Sequence, residues 1–93
     1  MKRSTVLAVS PYFDIRFQKN SLGFNRIAVV ISKKAVPGSV RRHYLKRRIL
    51  TSAALLPRVE KDMVFIVRGA CNTVSPANLT LAMKKTEQLI LKI

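Results

Sequence analysis

Along the chain the spacing of hydrophobic positions changes several times, and each change marks an element. In "YFDIRFQK", residues 12–19, Phe13, Ile15 and Phe17 alternate with Asp14, Arg16 and Gln18. This two-residue period predicts a strand with one buried face and an exposed face carrying Tyr12, Asp14 and Arg16. After "NSLGFN", whose Asn and Gly suit a turn, "RIAVVIS" at residues 26–32 is an unbroken run rich in β-branched side chains. Such a run predicts a central, well-covered strand, and the intervening turn predicts that it pairs antiparallel with the first.

Pro37 and Gly38 interrupt that pattern, and Ser39 is placed to cap a helix running to about residue 56, where Pro57 blocks continuation. On a helical wheel Arg42, His43, Lys46 and Arg47 share one side, while Leu45, Ile49 and Leu56 mark another. The basic face therefore backs onto a buried one. Arg41 and Arg48 divide what remains and leave Val40, Tyr44 and Leu55 as a second strip, partly exposed or packed under the arginine stems. "DMVFIVR", residues 62–68, predicts a third strand. Ser75 and Pro76 supply a capping hydroxyl and a first-turn proline for a final helix. On it Leu79, Ala82, Met83, Thr86, Ile90 and Ile93 share a face, with Lys84, Lys85 and Lys92 outside. Residues 1–11 fit either a short strand or a helical remnant. The order strand, strand, helix, strand, helix predicts an α+β fold, a two-layer sandwich with a small central sheet.

Composition makes residues 1–93 one folded domain. The 93-residue chain is 48% hydrophobic with only four Pro and three Gly, a globular balance. Its charge is the anomaly: 18 Lys and Arg against four acids give a formal +14. That self-repulsion opposes the compact state and points to a polyanionic partner. Seven of the basic residues fall within the seventeen positions of "SKKAVPGSVRRHYLKRR", residues 32–48, without one acid. An ordinary solvated helix mixes signs so that i,i+4 pairs attract, whereas a like-charged pair such as Arg42/Lys46 costs about 0.2–0.5 kcal/mol on a bare helix. Neutralisation by phosphates would remove that penalty.

Catalytic chemistry is not written into the chain. His43 has no local carboxylate to orient it, Cys71 sits beside no histidine, and Asp14, Glu60, Asp62 and Glu87 are scattered without metal-ligand spacing. No catalytic residue, metal site, protein-bound cofactor or small-molecule substrate is expected. Cys71, the only cysteine, reads as a small buried hydrophobe, and Asp62 as a partner for backbone or for an arginine. No apolar run approaches the ~20 residues of a membrane helix, and "VLAV" is too short for a signal-peptide core, so a cytoplasmic location without membrane association is expected. Tyr12, Arg16 and Arg68 belong to a sheet surface of the kind that stacks single-stranded bases, but such residues are common on any sheet.

The stretch "RIAVVISKKAVPGSVRRHYLKRRI" resembles the signature of the bacterial ribonuclease P protein subunit. In that family a strand ends in Ser/Ala-Lys-Lys and a short connection leads to a helix bearing Arg-Asn-x-x-Lys-Arg. Ser32, Lys33 and Lys34 match the first part, and Arg42, His43, Lys46 and Arg47 occupy the four named positions of the second. "DMVFIVR" is similar to the family's Asp-x-Val-x-Ile-x-Arg strand, and the resemblance spans roughly residues 12–92. His43 stands where the family has Asn, and Leu50 where it commonly has Arg. With only eleven residues before Tyr12, the family's opening aromatic helix is expected to be largely missing.

The resemblance implies the small protein partner of a catalytic RNA that hydrolyses precursor tRNA to release the 5′ leader, with the RNA and its Mg²⁺ doing the chemistry. It implies that Lys33, Lys34, Arg42, His43, Lys46 and Arg47 meet the catalytic RNA, with Arg41 and Arg48 as local additions. Tyr12, Arg16 and Arg68 would approach the leader, in a cleft expected to have lost one wall with the opening helix. It also implies a left-handed β-α-β crossover, against the usual right-handed rule. The alternative reading is a noncatalytic RNA-binding protein of ribosomal type using the same basic helix. A major-groove DNA binder lacks the companion helix of a helix-turn-helix, and a membrane-surface binder lacks Trp or Phe on the helix's apolar side.

Overall fold

The computed structural model describes residues 5–8, 10–56, 58 and 60–91. Their elements follow in the order β1 (Thr5–Ala8), β2 (Phe13–Lys19), β3 (Arg26–Val30), α1 (Ser39–Ala53), β4 (Lys61–Val67), a 3₁₀ helix at Gly69–Thr73, and α2 (Pro76–Leu91). The alternation in β2 turns Phe13, Ile15 and Phe17 into the core, where they meet Met63, Phe65 and Val67 from β4. Phe13 and Phe65 pack with ring centroids 5.5 Å apart at 60°, within the tilted geometry that aromatic quadrupoles favour. Leu45, Ile49 and Ala53 of α1 and Leu79, Ala82, Met83 and Ile90 of α2 close the same core. One face of the sheet is thereby covered.

Strand order is β1-β2-β4-β3, which corrects the expected pairing of residues 12–19 with 26–32. β4 lies between them, antiparallel to β2 and parallel to β3. The six residues between β2 and β3 are long enough to step across an intervening strand, about two inter-strand spacings or 10 Å. Nor is "RIAVVIS" central: β3 is an edge strand, with Ile27 and Val29 half-buried and Arg26, Ala28 and Val30 exposed. The two inner positions, paired on both sides, go to β2 and β4. Residues 5–8 resolve the ambiguity of the amino-terminal segment as a strand, antiparallel to β2 with Leu7 opposite Ile15.

The helix boundaries show where local chemistry decides. At α2 the Ser75 hydroxyl accepts the Asn78 N–H at 3.2 Å and Pro76 opens the first turn, as expected. Ile93 lies outside the described residues. At α1 the cap is Gly38, with extended backbone and no side-chain cap bond, so Ser39 is the first helical residue instead of the cap. The helix ends at Ala53 and turns through Leu56. α1 joins β3 to the adjacent parallel β4, which places both strands and the helix of the implied crossover.

Candidate nucleic-acid interface

Ser32 begins the site by building a turn. Its carbonyl accepts the Val36 N–H at 3.0 Å and its hydroxyl accepts the Ala35 N–H at 3.0 Å. Val36 is fully buried and pins the far end of that turn, while Lys33 and Lys34 project into solvent. The Ser-Lys-Lys sequence is thus a fold device carrying two free cations.

Five Lys or Arg and no acid lie on α1, and two of them, Arg41 and Arg42, stand in its first turn, where cations oppose the helix dipole. The structure compensates by sending both guanidinium groups to backbone carbonyls. Arg42 Nη1 donates to Val36 O at 2.9 Å and Pro37 O at 2.8 Å, holding the loop that carries Lys33 and Lys34. Arg41 donates through Nε to Asn72 O and through Nη2 to Val74 O, both at 2.9 Å, and lies 5.2 Å from the Tyr44 ring centre. Arg48 reaches α2, donating from Nη2 to Thr80 Oγ1 at 3.3 Å, while its Nε is buried without a partner.

The other basic residues point away from the fold. His43, Lys46 and Arg47 are exposed, as are Lys33 and Lys34, and none of their side chains forms a hydrogen bond or ion pair with another described residue. Arg42, His43 and Lys46 line a groove of about 200 Å³ with Val29 and Ile31. A second, of about 370 Å³, continues past His43, Lys46 and Arg47 to Leu50 and Thr51. The expected basic set therefore divides into fasteners, Arg41, Arg42 and Arg48, and a free set, Lys33, Lys34, His43, Lys46 and Arg47.

The uncovered face of the sheet presents different chemistry. Arg16 stands beside Val64, and Asp14 beside Ile66, which in turn neighbours Val30. Arg68 donates to Asp14 Oδ2 from Nη2 at 2.8 Å and from Nε at 3.1 Å, so its charge is matched within the fold, and Asp14 Oδ1 is buried without a hydrogen bond. Tyr12 does not join Arg16 and Arg68 in the open; it packs half-buried against the core, its carbonyl accepting the Arg68 N–H at 2.8 Å.

Asp62 is an arginine partner, as its position suggested. Arg26 grips it through Nε at 2.8 Å and Nη2 at 2.6 Å, and that hydrogen bond, then the carboxylate charge, raises the Arg26 pKa. Asn20 donates to the same carboxylate at 2.9 Å and to Phe24 O at 3.2 Å, and accepts the Leu22 N–H at 3.0 Å. The loop expected as a plain turn also holds two large apolar residues, Leu22 and Phe24. Cys71 is buried beneath Arg41, and desolvation pushes its thiol pKa up against the opposing pull of that guanidinium. Among the described residues there is no cluster of metal-ligating side chains and no helix long and apolar enough to cross a membrane.

Fold and site together define a small α+β protein in which a helix between adjacent parallel strands carries cations that the fold itself does not use. Solved structures share this architecture. An RNase P protein from Thermotoga maritima, in complex with 1-(4-fluorophenyl)-2-thiourea, superposes with a TM-score of 0.76 at 24% identity, covering 98% of this chain and 87% of its own. A Staphylococcus aureus RNase P protein mutant with defective mRNA degradation activity gives 0.78 at 18% identity, covering 94% and 75%. No curated protein matches the chain. The sequence pattern of the Ribonuclease P family matches residues 2–91, and the chain belongs to that family. Membership associates it with an endoribonuclease complex of tRNA processing and implies an RNA partner.

Proposed function

We propose that this chain is the protein subunit of ribonuclease P, laying the exposed side of α1 and the 33–34 turn on the catalytic RNA. The observation that carries the proposal is the unpaired state of Lys33, Lys34, Lys46 and Arg47 among the described residues of a family member with a formal charge of +14. Phosphate contacts of this kind supply salt-sensitive affinity with little sequence information, which suits one protein serving many tRNA precursors. The 5′ leader would cross the uncovered sheet face, its bases over Val30, Val64 and Ile66 and its backbone near Arg16. Arg68 stands at the end of that face, bound to Asp14, with Tyr12 half-buried next to it. The RNA supplies the catalytic centre and holds the Mg²⁺, and the protein's positive surface lowers the Mg²⁺ demand by offsetting repulsion between two RNAs.

The test is cleavage of a precursor tRNA by a bacterial-type ribonuclease P RNA at limiting Mg²⁺, with and without the protein. Release of the mature 5′ end that depends on the protein, and is lost with Lys33→Ala/Lys46→Ala/Arg47→Ala, is the expected result. Tight binding to that RNA without any stimulation of cleavage would leave a noncatalytic RNA-binding protein and overturn the subunit reading.

A further inference from the structure

The loop between β2 and β3 is built at some expense to hold apolar side chains in water. Asn20 is only 7% exposed and spends its amide on Asp62, Phe24 O and Leu22 N, while its own N–H donates to Glu60 O at 2.8 Å. Gly23 takes φ +79°, a conformation that side chains resist, to complete the turn. Yet Leu22 remains 46% and Phe24 52% exposed. A loop this well fastened does not leave an aromatic half in solvent through slackness.

Beside Phe24 a cavity of about 430 Å³ opens between the loop and the end of α1, with Ile27, Ala53, Ala54 and Leu56 as apolar wall and Arg58 among its lining residues. Ala54 lies seven residues beyond Arg47 and so on the same side of the helix, about 11 Å further along its axis. The outward stripe therefore runs from His43 and the cations Lys46 and Arg47, through Leu50, to an aliphatic wall, an aromatic ring and one guanidinium. No acid lines the cavity.

We propose that Phe24 and the carboxyl-terminal end of α1 form a stacking site for an unpaired base of the RNA that lies along this helix, with Arg58 meeting the adjoining phosphate. The inference rests on the RNA-binding reading above. The occupant follows from the chemistry: an aromatic face and a guanidinium, continuous with a phosphate-binding stripe, suit a π-faced group attached to a phosphate. Base–aromatic stacking tolerates any sequence, so the site adds affinity without adding a code.

The experiment is a salt titration of affinity for a bacterial-type ribonuclease P RNA, using wild type, Phe24→Ala, Phe24→Leu, Phe24→Tyr and Lys46→Ala/Arg47→Ala, each checked by thermal unfolding. Phe24→Ala should bind about tenfold more weakly at every salt concentration, with an unchanged salt slope. Phe24→Leu should lose nearly as much, Phe24→Tyr should match wild type, and the double variant should have a shallower slope. If Phe24→Ala fails to fold, the Leu and Tyr variants carry the comparison. Wild-type affinity in Phe24→Ala or Phe24→Leu overturns the stacking site while leaving the RNA-binding reading intact. A wild-type protein that binds no such RNA overturns both.

Discussion

Arg42→Ala should act first on the fold. Its guanidinium makes two hydrogen bonds from one nitrogen, to Val36 O and Pro37 O. Bonds from a charged donor contribute about 1.5–3 kcal/mol each when well protected, but Pro37 is exposed and Val36 O is at the edge of the core, so a gross loss of about 2–3 kcal/mol for the pair is reasonable. Against this, the variant removes a cation from the first turn, worth about 0.3–1 kcal/mol, and a like-charge neighbour of Lys46, worth about 0.2–0.5 kcal/mol. The net destabilisation is about 1–2 kcal/mol, or roughly 4–16 °C in melting temperature for a domain of this size. Lys46→Ala loses no internal partner and should stay within about 0.5 kcal/mol of wild type.

Thermal and urea unfolding of the two variants, each paired with an RNA titration at several salt concentrations, separates the roles. Arg42→Ala should melt early, while Lys46→Ala should melt with wild type and have a salt slope shallower by about 0.7–0.9, one phosphate contact's worth. If Arg42→Ala melts with wild type and flattens the salt slope as much as Lys46→Ala does, Arg42 is a phosphate ligand and the loop clamp contributes nothing.

Four further outcomes are expected. Lys46→Ala/Arg47→Ala should reduce the slope of log affinity against log salt by about 1.4–1.8, two phosphate contacts' worth, measured by filter binding. Asn20→Ala should cost about 1–3 kcal/mol in urea unfolding, because Phe24 O, Leu22 N–H and one Asp62 bond lose a partner together. Burial raises the Cys71 pKa in the folded state, so above the ordinary thiol range the unfolded chain holds fewer protons and stability falls as pH rises; the difference between wild type and Cys71→Ala should shrink in urea melts taken from neutral to alkaline pH. Arg41→Lys should destabilise measurably in the same assay, since an ammonium lacks the fork that spans Asn72 O and Val74 O, whereas Lys46→Arg should not.

What the sequence made legible was whatever depends on short spacing. The two-residue period of Phe13, Ile15 and Phe17 fixes which face of β2 is buried, and Ser75-Pro76 fixes the start of α2, because both are settled within a few bonds. The place of β3 in the sheet is not settled that way. "IAVVI" and "MVFIV" carry nearly the same β-branched signal, and only the crossover through α1 puts the second between β2 and the first. For the same reason the basic helix was legible as a stripe but not as two sets of cations. Arg42 and Lys46 share a side of the wheel, and which of them turns inward depends on where residues 36 and 37 sit in space. Leu22 and Phe24 did carry a local signal: two large apolar residues in a Gly-containing turn have no ordinary structural use there.

The division among the cations has a physical rationale that the family pattern alone does not supply. None of the ion pairs among the described residues involves this helix, so its cations fasten to neighbouring elements through backbone carbonyls and the Thr80 hydroxyl. Arginine is suited to this because its fork reaches two acceptors at fixed spacing and its charge is never lost, whereas lysine offers a hydrated point charge on a flexible stem. The fasteners of this helix are accordingly all arginine: Arg41 to the 3₁₀ segment, Arg42 to the lysine-bearing loop and Arg48 to α2. Of the free Lys and Arg on this helix and its turn, Lys33, Lys34, Lys46 and Arg47, three are lysine. The helix thus orients its loop and its partner helix with one chemistry and leaves the other, less committed one for the phosphate contacts proposed above. A phosphate that competed for Arg42 would release the very turn that presents Lys33 and Lys34, so the arrangement favours binding on the outward face without unfastening the frame beneath it.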